Sequence, residues 1–449
     1  MDDTNSWCLD TTQVAEIIVG FYTRLFTSER TANIHGILDV IQPLITEDMN
    51  TSLTRGFTKQ EVDIALKEIA PLKAPRPDSM PPLFFQSFWH LIGDDVSKAV
   101  LDCLNFRHIQ KEFNYTFVTL IPNVKNPKRI SEFRPISLCN VIYKLISKVL
   151  ANRLKPLLPS IVSENQSAFQ AGRVITDNIL MAFETLHYMK TQQRGSTGFM
   201  ALKLDMSKAY DRVEWSFLEC LLRKMGFHRR WVNLMMECIT TVSYSILING
   251  EPSQTIHPSR GLRQGDPLSP YLFLLCTEGL HGLISRAATS SDIMGISICR
   301  NGPRLIRLFF ADDSLLFCRA SVQECTHVQN LLANYEEASG QKLNREKTTL
   351  FFSKNTASEI QDSIKALLGV PKIKQYEKYL GLPSFVDRRK RASLEYIKDR
   401  IWSKLQGWKE KLLSQAGREV LLKAVVQAIP AYSMSCSKLP ATLCHEIRL

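Results

Sequence analysis

Apolar residues recur at three- and four-residue steps over positions 11–26, where Val14, Ile17, Ile18, Phe21 and Leu25 line one side of a predicted helix capped at Thr11 or Thr12. A second helix is predicted to start at Thr58, with Glu61 three positions on completing a capping box. It stops at Pro71-Leu72-Lys73-Ala74-Pro75-Arg76-Pro77-Asp78-Ser79, which cannot be helical. The next helix carries Phe84, Phe85, Phe88, Trp89 and Ile92, a spacing that assigns these side chains to a core. At 115–122 the chain turns rich in Thr, Phe, Val, Leu and Ile, which predicts a strand. A helix over 143–158 then points Ile146, Val149, Leu150 and Leu154 inward and Lys144, Lys148, Arg153 and Lys155 outward. Another is expected over 177–189.

Residues 200–204 read as an apolar strand ending on Asp205, after which Ser207 opens a helix that brings Tyr210 and Asp211 back toward the strand end. Asn249-Gly250 marks a hairpin over 242–256. Arg260-Gly261-Leu262-Arg263-Gln264-Gly265-Asp266-Pro267-Leu268-Ser269-Pro270 is a glycine-containing loop opening a long apolar helix. Over 307–317 two Phe- and Leu-rich runs flank Asp312-Asp313, the pattern of two strands and a tight turn. A helix over 333–340, a strand over 349–352 and a strand-turn at Lys378-Tyr379-Leu380-Gly381-Leu382-Pro383 follow. Leu394, Ile397, Ile401, Leu405, Trp408 and Leu412 step along one amphipathic helix decorated by Lys398, Arg400, Lys404, Lys409 and Lys411, and a last helix covers 418–428.

At 449 residues the chain exceeds one compact core, so two or three subdomains are expected. A net charge of +12 favours a polyanionic partner, nucleic acid before a membrane surface. The basic residues are spread out, with one dense run at Arg388-Arg389-Lys390-Arg391, which suits a groove better than a tail. Eleven scattered cysteines without a C-x-x-C pair point to reduced thiols inside a cell, not to disulfides or zinc. The acidic N-terminus lacks a secretory apolar core, and no run is long enough to span a membrane.

The carboxylates carry the chemistry. Adjacent aspartates between apolar strands repel one another unless a cation sits among them, and Mg²⁺ takes oxygen ligands while keeping waters and phosphates. A plain Asp-Asp turn, and Asp205 as a helix N-cap, are the structural alternatives. If the strands of Asp205, Asp312 and Asp313 share a sheet, the three carboxylates converge as a two-metal phosphoryl-transfer site requires. Lys125, Lys128, Arg129 and Arg134 on a loop beside a strand suit phosphates or plain solvation. Backbone N–H groups at the 260–270 loop, beside Arg260 and Arg263, suit a phosphate or a sugar-base edge.

Taken in order, Arg134-Pro135-Ile136-Ser137-Leu138, Asp205 to Asp211, Gln264 to Pro270, Phe310-Ala311-Asp312-Asp313, Ser339 to Thr348 and Tyr379-Leu380-Gly381 resemble the successive motifs of a reverse transcriptase. More narrowly, the chain resembles the polymerase part of a plant LINE-type non-LTR retrotransposon protein. The resemblance implies an α+β right-hand polymerase: residues 1–110 a helical extension leading into fingers, 111–384 fingers and palm with an antiparallel sheet, 385–449 a helical thumb. It implies an RNA template, a DNA primer, dNTPs and two Mg²⁺ ions (Mn²⁺ as a substitute), and no membrane. Asp205 and Asp312 become metal ligands with Asp313 in support, and Tyr210 the residue that excludes a ribose 2′-OH. Gln264 and Gly265 would contact the nucleotide or template, Lys125 and Arg134 its triphosphate, and Lys347 would protonate the leaving pyrophosphate. Tyr379, Leu380 and Gly381 would hold the primer end, and Arg260 and Arg263 the primer–template. Action in the nucleus is implied by family alone, with Arg388 to Arg391 read as an import signal or a solvated thumb face.

The chain departs from the family at Arg76 and Ser79, where glycines are usual, and at Asn123, where a lysine is. Arg or Ser at a position of positive φ would be strained. No endonuclease, RNase H or Cys/His-rich segment of larger relatives is recognised, so the expectation is an excised piece of a longer protein. Competing expectations are a remnant that binds nucleic acid without catalysis, and a metal-dependent nuclease.

Overall fold

The computed structural model describes residues 7–8, 10–29, 34–72, 77–193, 195, 197–299, 302–370, 378–383, 390–409 and 413–448. Arg76, Arg388 and Arg389 lie outside them, as do the side chains of Lys390 and Arg391. The strands are β1 (Tyr115–Pro122), β2 (Phe133–Cys139), β3 (Phe199–Leu204), β4 (Ser243–Ile248), β5 (Glu251–Pro252), β6 (Arg307–Phe310), β7 (Asp313–Arg319), β8 (Thr349–Phe352), β9 (Lys378–Tyr379) and β10 (Leu382–Pro383). The chain forms two compact units. One comprises Met1–Ala171, Met206–Ser290 and His327–Asn344, the other Gly172–Asp205, Ser291–Thr326 and Arg345–Leu449.

The first unit holds a sheet in the order β2-β1-β4-β5, antiparallel except for β1 beside β4. The helix Thr11–Phe26 covers it, burying Tyr22, Leu25 and Phe26 against Val118, Tyr244 and Ile246. Its cap is Asp10, whose carboxylate accepts the Gln13 N–H, one residue before the predicted threonines. Thr58 and Glu61 form the expected capping box on Lys59–Glu68. The aromatic segment breaks at Phe88 into two helices, Pro82–Ser87 and Trp89–Phe106. That break turns Phe88 outward at 45% exposure while Phe85 is buried, so the assignment of all these rings to the core is corrected.

The helix expected over 143–158 is Val141–Leu154. Lys144 and Arg153, expected outward, are buried. Arg153 binds Glu61 at 2.7 Å, donates to the carbonyls of Leu53, Arg55 and Gly56, and lies over the Phe57 ring. Hydrophobic periodicity cannot foresee such a buried cation, because its partners come from a different helix and loop. After Asp205 the helix predicted through Ser207 is a series of turns, with Lys208 at φ 54, and helix resumes only at Trp215–Lys224.

The second unit holds an antiparallel sheet in the order β6-β7-β3-β8. The helix Ile175–Thr191 packs Ala182, Leu186 and Met189 onto Ala201, Leu315, Phe317 and Phe351 of that sheet. In the same unit, Leu394, Ile397 and Ile401 of the helix Lys390–Lys409 form a small core with Leu439 and Leu443. The last predicted helix is Gln415–Leu421 followed by a π-helical stretch, Leu422–Val426. Among the described residues no helix is long and apolar enough to cross a membrane.

Candidate functional site

In the second unit, β3 is central and apolar because both its faces are covered: Met200, Ala201, Leu202 and Leu204 are buried. Asp205 follows directly. The β3–β7 ladder runs to Leu204 opposite Ser314, so its next step sets Asp205 opposite Asp313. On the other side the β3–β8 ladder ends at Lys203 opposite Thr349, and residues 345–347 before it form a turn. The Asp205 N–H also reaches the Thr348 hydroxyl at 3.4 Å. The hairpin closes at Phe310 opposite Asp313, leaving Ala311 (φ 53) and Asp312 as its two-residue turn. Asn178 of Ile175–Thr191 braces it, donating to the Phe309 carbonyl at 2.9 Å. One sheet end thus collects Asp205, Asp312 and Asp313, while Lys347 is exposed in the turn that precedes β8.

Its electrostatics are those of crowded carboxylates. Burial raises the Asp313 carboxyl above its ordinary range, Asp312 and Asp205 raise it further, and Lys203 opposes them. Lys203 and Asp205 share a strand face by two-residue alternation. The Lys203 ammonium is also held by the Lys378 carbonyl at 2.9 Å. Among the described residues no three or more His, Cys, Asp and Glu side chains close into a ready-made metal cage. The donor set nonetheless fits Mg²⁺, which is commonly held by one or two carboxylates together with substrate phosphates and waters.

The nucleotide-facing candidates lie in the first unit. Lys125, in the β1–β2 loop, and Arg134, opposite Ile121 on β2, are exposed. On the edge of β2 away from β1, the Ser137 N–H donates to the Gln264 carbonyl at 2.8 Å. Gly265 follows with φ 112, and a Cβ there would stand 2.9 Å from the Ser137 oxygen, so only glycine fits. The Gln264 side-chain amide donates to Asp211 at 3.2 Å, and the Leu262 N–H to the Tyr210 carbonyl at 2.7 Å. Tyr210 stacks on Phe273 of the helix Ser269–Thr289, with ring centroids 4.5 Å apart. Tyr210, Asp211, Gln264 and Gly265 are therefore one hydrogen-bonded assembly attached to β2.

Asp211 is itself buried, and burial lifts its carboxyl from 3.8 to about 7, against the pull of Lys208, Gln264 and Arg212. Its pairing with Gln264 has no sequence signal, since 53 positions separate them. Lys208, whose ammonium binds the Phe133 carbonyl, is equally silent in the sequence.

Three expectations are corrected by burial. Arg260 is 2% exposed and is held by Glu214 at 3.3 Å, Glu29 at 3.1 Å and the Leu25 carbonyl. Arg263 is 3% exposed, pairs with Asp266 at 3.1 Å, donates to Asn114 and the Cys238 carbonyl, and lies over Tyr143. Both brace the loop from inside instead of facing a primer–template, because a buried guanidinium must be paired. The Tyr379 ring is also buried, in the β3–β7 core, and burial holds its phenol well above its usual range with Asp313 adding to the shift. The turn that follows, Leu380 (φ 47)-Gly381 (φ 83), is anchored where the Tyr432 hydroxyl donates to the Leu380 carbonyl at 2.7 Å.

The profile of the reverse transcriptase (RNA-dependent DNA polymerase) family matches residues 124–383. The Transposon TX1 uncharacterized 149 kDa protein of Xenopus laevis is 26% identical over 403 residues, covering 88% of this chain and 30% of that protein. A retrovirus-related Pol polyprotein from a type-2 retrotransposable element of Drosophila melanogaster is 26% identical over 82% of this chain and 33% of its own length. An uncharacterized mitochondrial protein of Arabidopsis thaliana is 57% identical over 68 residues, 15% of this chain and 56% of its own. The chain thus spans about a third of the two long relatives. With more than half of its residues inside the family profile, the chain belongs to the reverse transcriptase (RNA-dependent DNA polymerase) family.

Proposed function

We propose that this chain is an RNA-directed DNA polymerase that adds deoxynucleotides to a DNA primer on an RNA template. The observation that carries the reading is the ladder register that sets Asp205 beside the Asp312-Asp313 hairpin, where burial and neighbouring carboxylates raise the Asp313 carboxyl. On this reading residues 1–110 lead into fingers, 111–384 are fingers and palm, 385–449 are a thumb, and the protein works in the nucleus.

Asp205, Asp312 and Asp313 would hold Mg²⁺, which when bound activates the primer hydroxyl and offsets charge on the transferring phosphate. Lys125 and Arg134 bind the triphosphate, Arg as a fork and Lys as a point charge. Tyr210, fixed by Phe273, closes the space beside the sugar 2′ carbon. Gln264 and Gly265 contact the nucleotide or the template from a loop whose close approach to Ser137 glycine alone permits. Lys347, in the turn before β8, donates a proton to the departing pyrophosphate. Primer extension on an RNA template with dNTPs and Mg²⁺ tests the reading. Asp312→Asn abolishes product while RNA binding persists, and folded protein that makes no product refutes it.

One observation favours a second reading, a remnant that binds nucleic acid without catalysis. Ser79 sits at φ 55, so the position the family fills with glycine keeps its left-handed backbone here under a side chain. Salt-dependent RNA binding without extension is the outcome that selects it.

A further inference from the structure

Within the first unit lies a cavity of about 250 Å³ lined by none of the motif residues. Its floor is apolar, with Leu53, Leu104, Trp231 and Leu234 all buried. Arg55, Arg107 and Arg230 stand around it, Asn105 adds an amide, and no carboxylate lines it. Buried arginines elsewhere in this unit are matched: Arg153 by Glu61, Arg260 by Glu214, Arg263 by Asp266. Arg55 shares Glu61 at 3.6 Å, whereas among the described residues the Arg107 and Arg230 guanidinium groups have no carboxylate partner. Arg230 lies in the first turn of the helix Arg229–Thr240, whose dipole adds positive potential there.

The site is also preformed. Arg153 ties down the 53–56 loop through carbonyl bonds of 2.6–2.9 Å to Leu53, Arg55 and Gly56. The same guanidinium lies 3.7 Å from the Phe57 ring centroid, and Phe57 lines the cavity. An aromatic ring backed by a cation is a stacking surface for a nucleobase, and an Asn amide, which both donates and accepts, can meet a base edge. Arginine forks suit phosphates. The volume lies below the roughly 300–1,000 Å³ of drug-sized pockets, so it suits one unit of a polymer.

We propose that this cavity binds one unpaired nucleotide of an RNA strand, its base against Phe57 and the apolar floor, its flanking phosphates on Arg55, Arg107 and Arg230. An acidic peptide with an apolar anchor matches the charge but has no use for the ring and the amide together. The inference goes beyond polymerase activity and is read by binding alone, so failure of extension and failure of this site are distinguishable.

The full chain is first saturated with unlabelled primer–template duplex, then titrated with a fluorescent single-stranded RNA while anisotropy is followed. A second, saturable event is expected. Arg107→Gln with Arg230→Gln, both exposed positions, weakens that event by about tenfold or more, since each removes a charge-assisted bond. The slope of log K against log salt falls by about 1.4, or roughly 0.7 for each phosphate no longer neutralised. Asn105→Asp, which puts a negative charge at the cavity without touching the arginines, acts in the same direction. A 4-thiouridine strand cross-links to the peptide containing Phe57 or Asn105. Unchanged affinity and salt slope in the folded variants overturn the proposal. So does displacement of the RNA by oligoglutamate at lower concentration than by unlabelled RNA, or binding of a nucleoside triphosphate where the strand does not bind.

Discussion

Asp211→Asn is predicted to stabilise the protein at alkaline pH and to do much less at acid pH. Asp211 is 2% exposed, and its carboxyl is lifted from 3.8 to about 7, chiefly by burial. Between those values the folded chain holds a proton that the unfolded chain releases, so stability falls as pH rises through the window and levels off above about 7. A shift of about three units at about 1.4 kcal/mol each puts the cost of the buried charge near 4 kcal/mol at pH 8, as an upper bound. Asparagine keeps an oxygen to accept the Gln264 amide and removes the charge. Urea unfolding of both proteins should show the variant more stable by up to about 4 kcal/mol at pH 8 and by under about 2 kcal/mol at pH 5. A variant less stable at pH 8, or a gap that ignores pH, refutes the reasoning.

The same substitution bears on the nucleotide. An ionised Asp211 accepts only, which fixes the Gln264 Nε2 on it, whereas an asparagine amide in its place can donate to Oε1 and let the Gln264 amide flip; KM for dNTP should rise with kcat nearly unchanged in steady-state extension. Gly265→Ala meets both φ 112 and a 2.9 Å approach to the Ser137 oxygen, so extension should fall by at least tenfold while the helix content by circular dichroism is kept. Ser79→Gly relieves a left-handed backbone at φ 55 and should raise the urea midpoint by the equivalent of about 1 kcal/mol; no change would mean the loop bears no strain. Mg²⁺ should raise the melting temperature of the parent chain and not that of Asp205→Asn, because a ligand bound only by the folded state adds its binding energy to stability.

Periodicity carried the elements with strong local signals. The capping box at Thr58-Glu61, the Asn249-Gly250 turn and the Asp312-Asp313 hairpin are each decided by residues within a few positions of one another. The ladder that puts Asp205 across from Asp313 follows from the same alternation once the strands pair, so the acidic centre was legible as a conditional. The supports were not. Arg260 and Arg263 look like solvent-facing cations in a loop, and only the folded chain supplies Glu214 and Glu29 to the first and Asn114, the Cys238 carbonyl and Tyr143 to the second. Tyr379 fell on a strand too short to show which face is inward, and it went to the core. Asp211 and Gln264 meet through tertiary contact alone, as do Asn178 and Phe309.

Primer extension tests the central claim most directly. Purified full chain, an RNA template, an annealed DNA primer, dNTPs and Mg²⁺ should give elongated DNA, and Asp312→Asn should give none while its RNA affinity stays within about twofold. Extension that survives Asp312→Asn, or a folded parent chain that binds RNA and never extends, contradicts the assignment of catalysis to Asp205, Asp312 and Asp313.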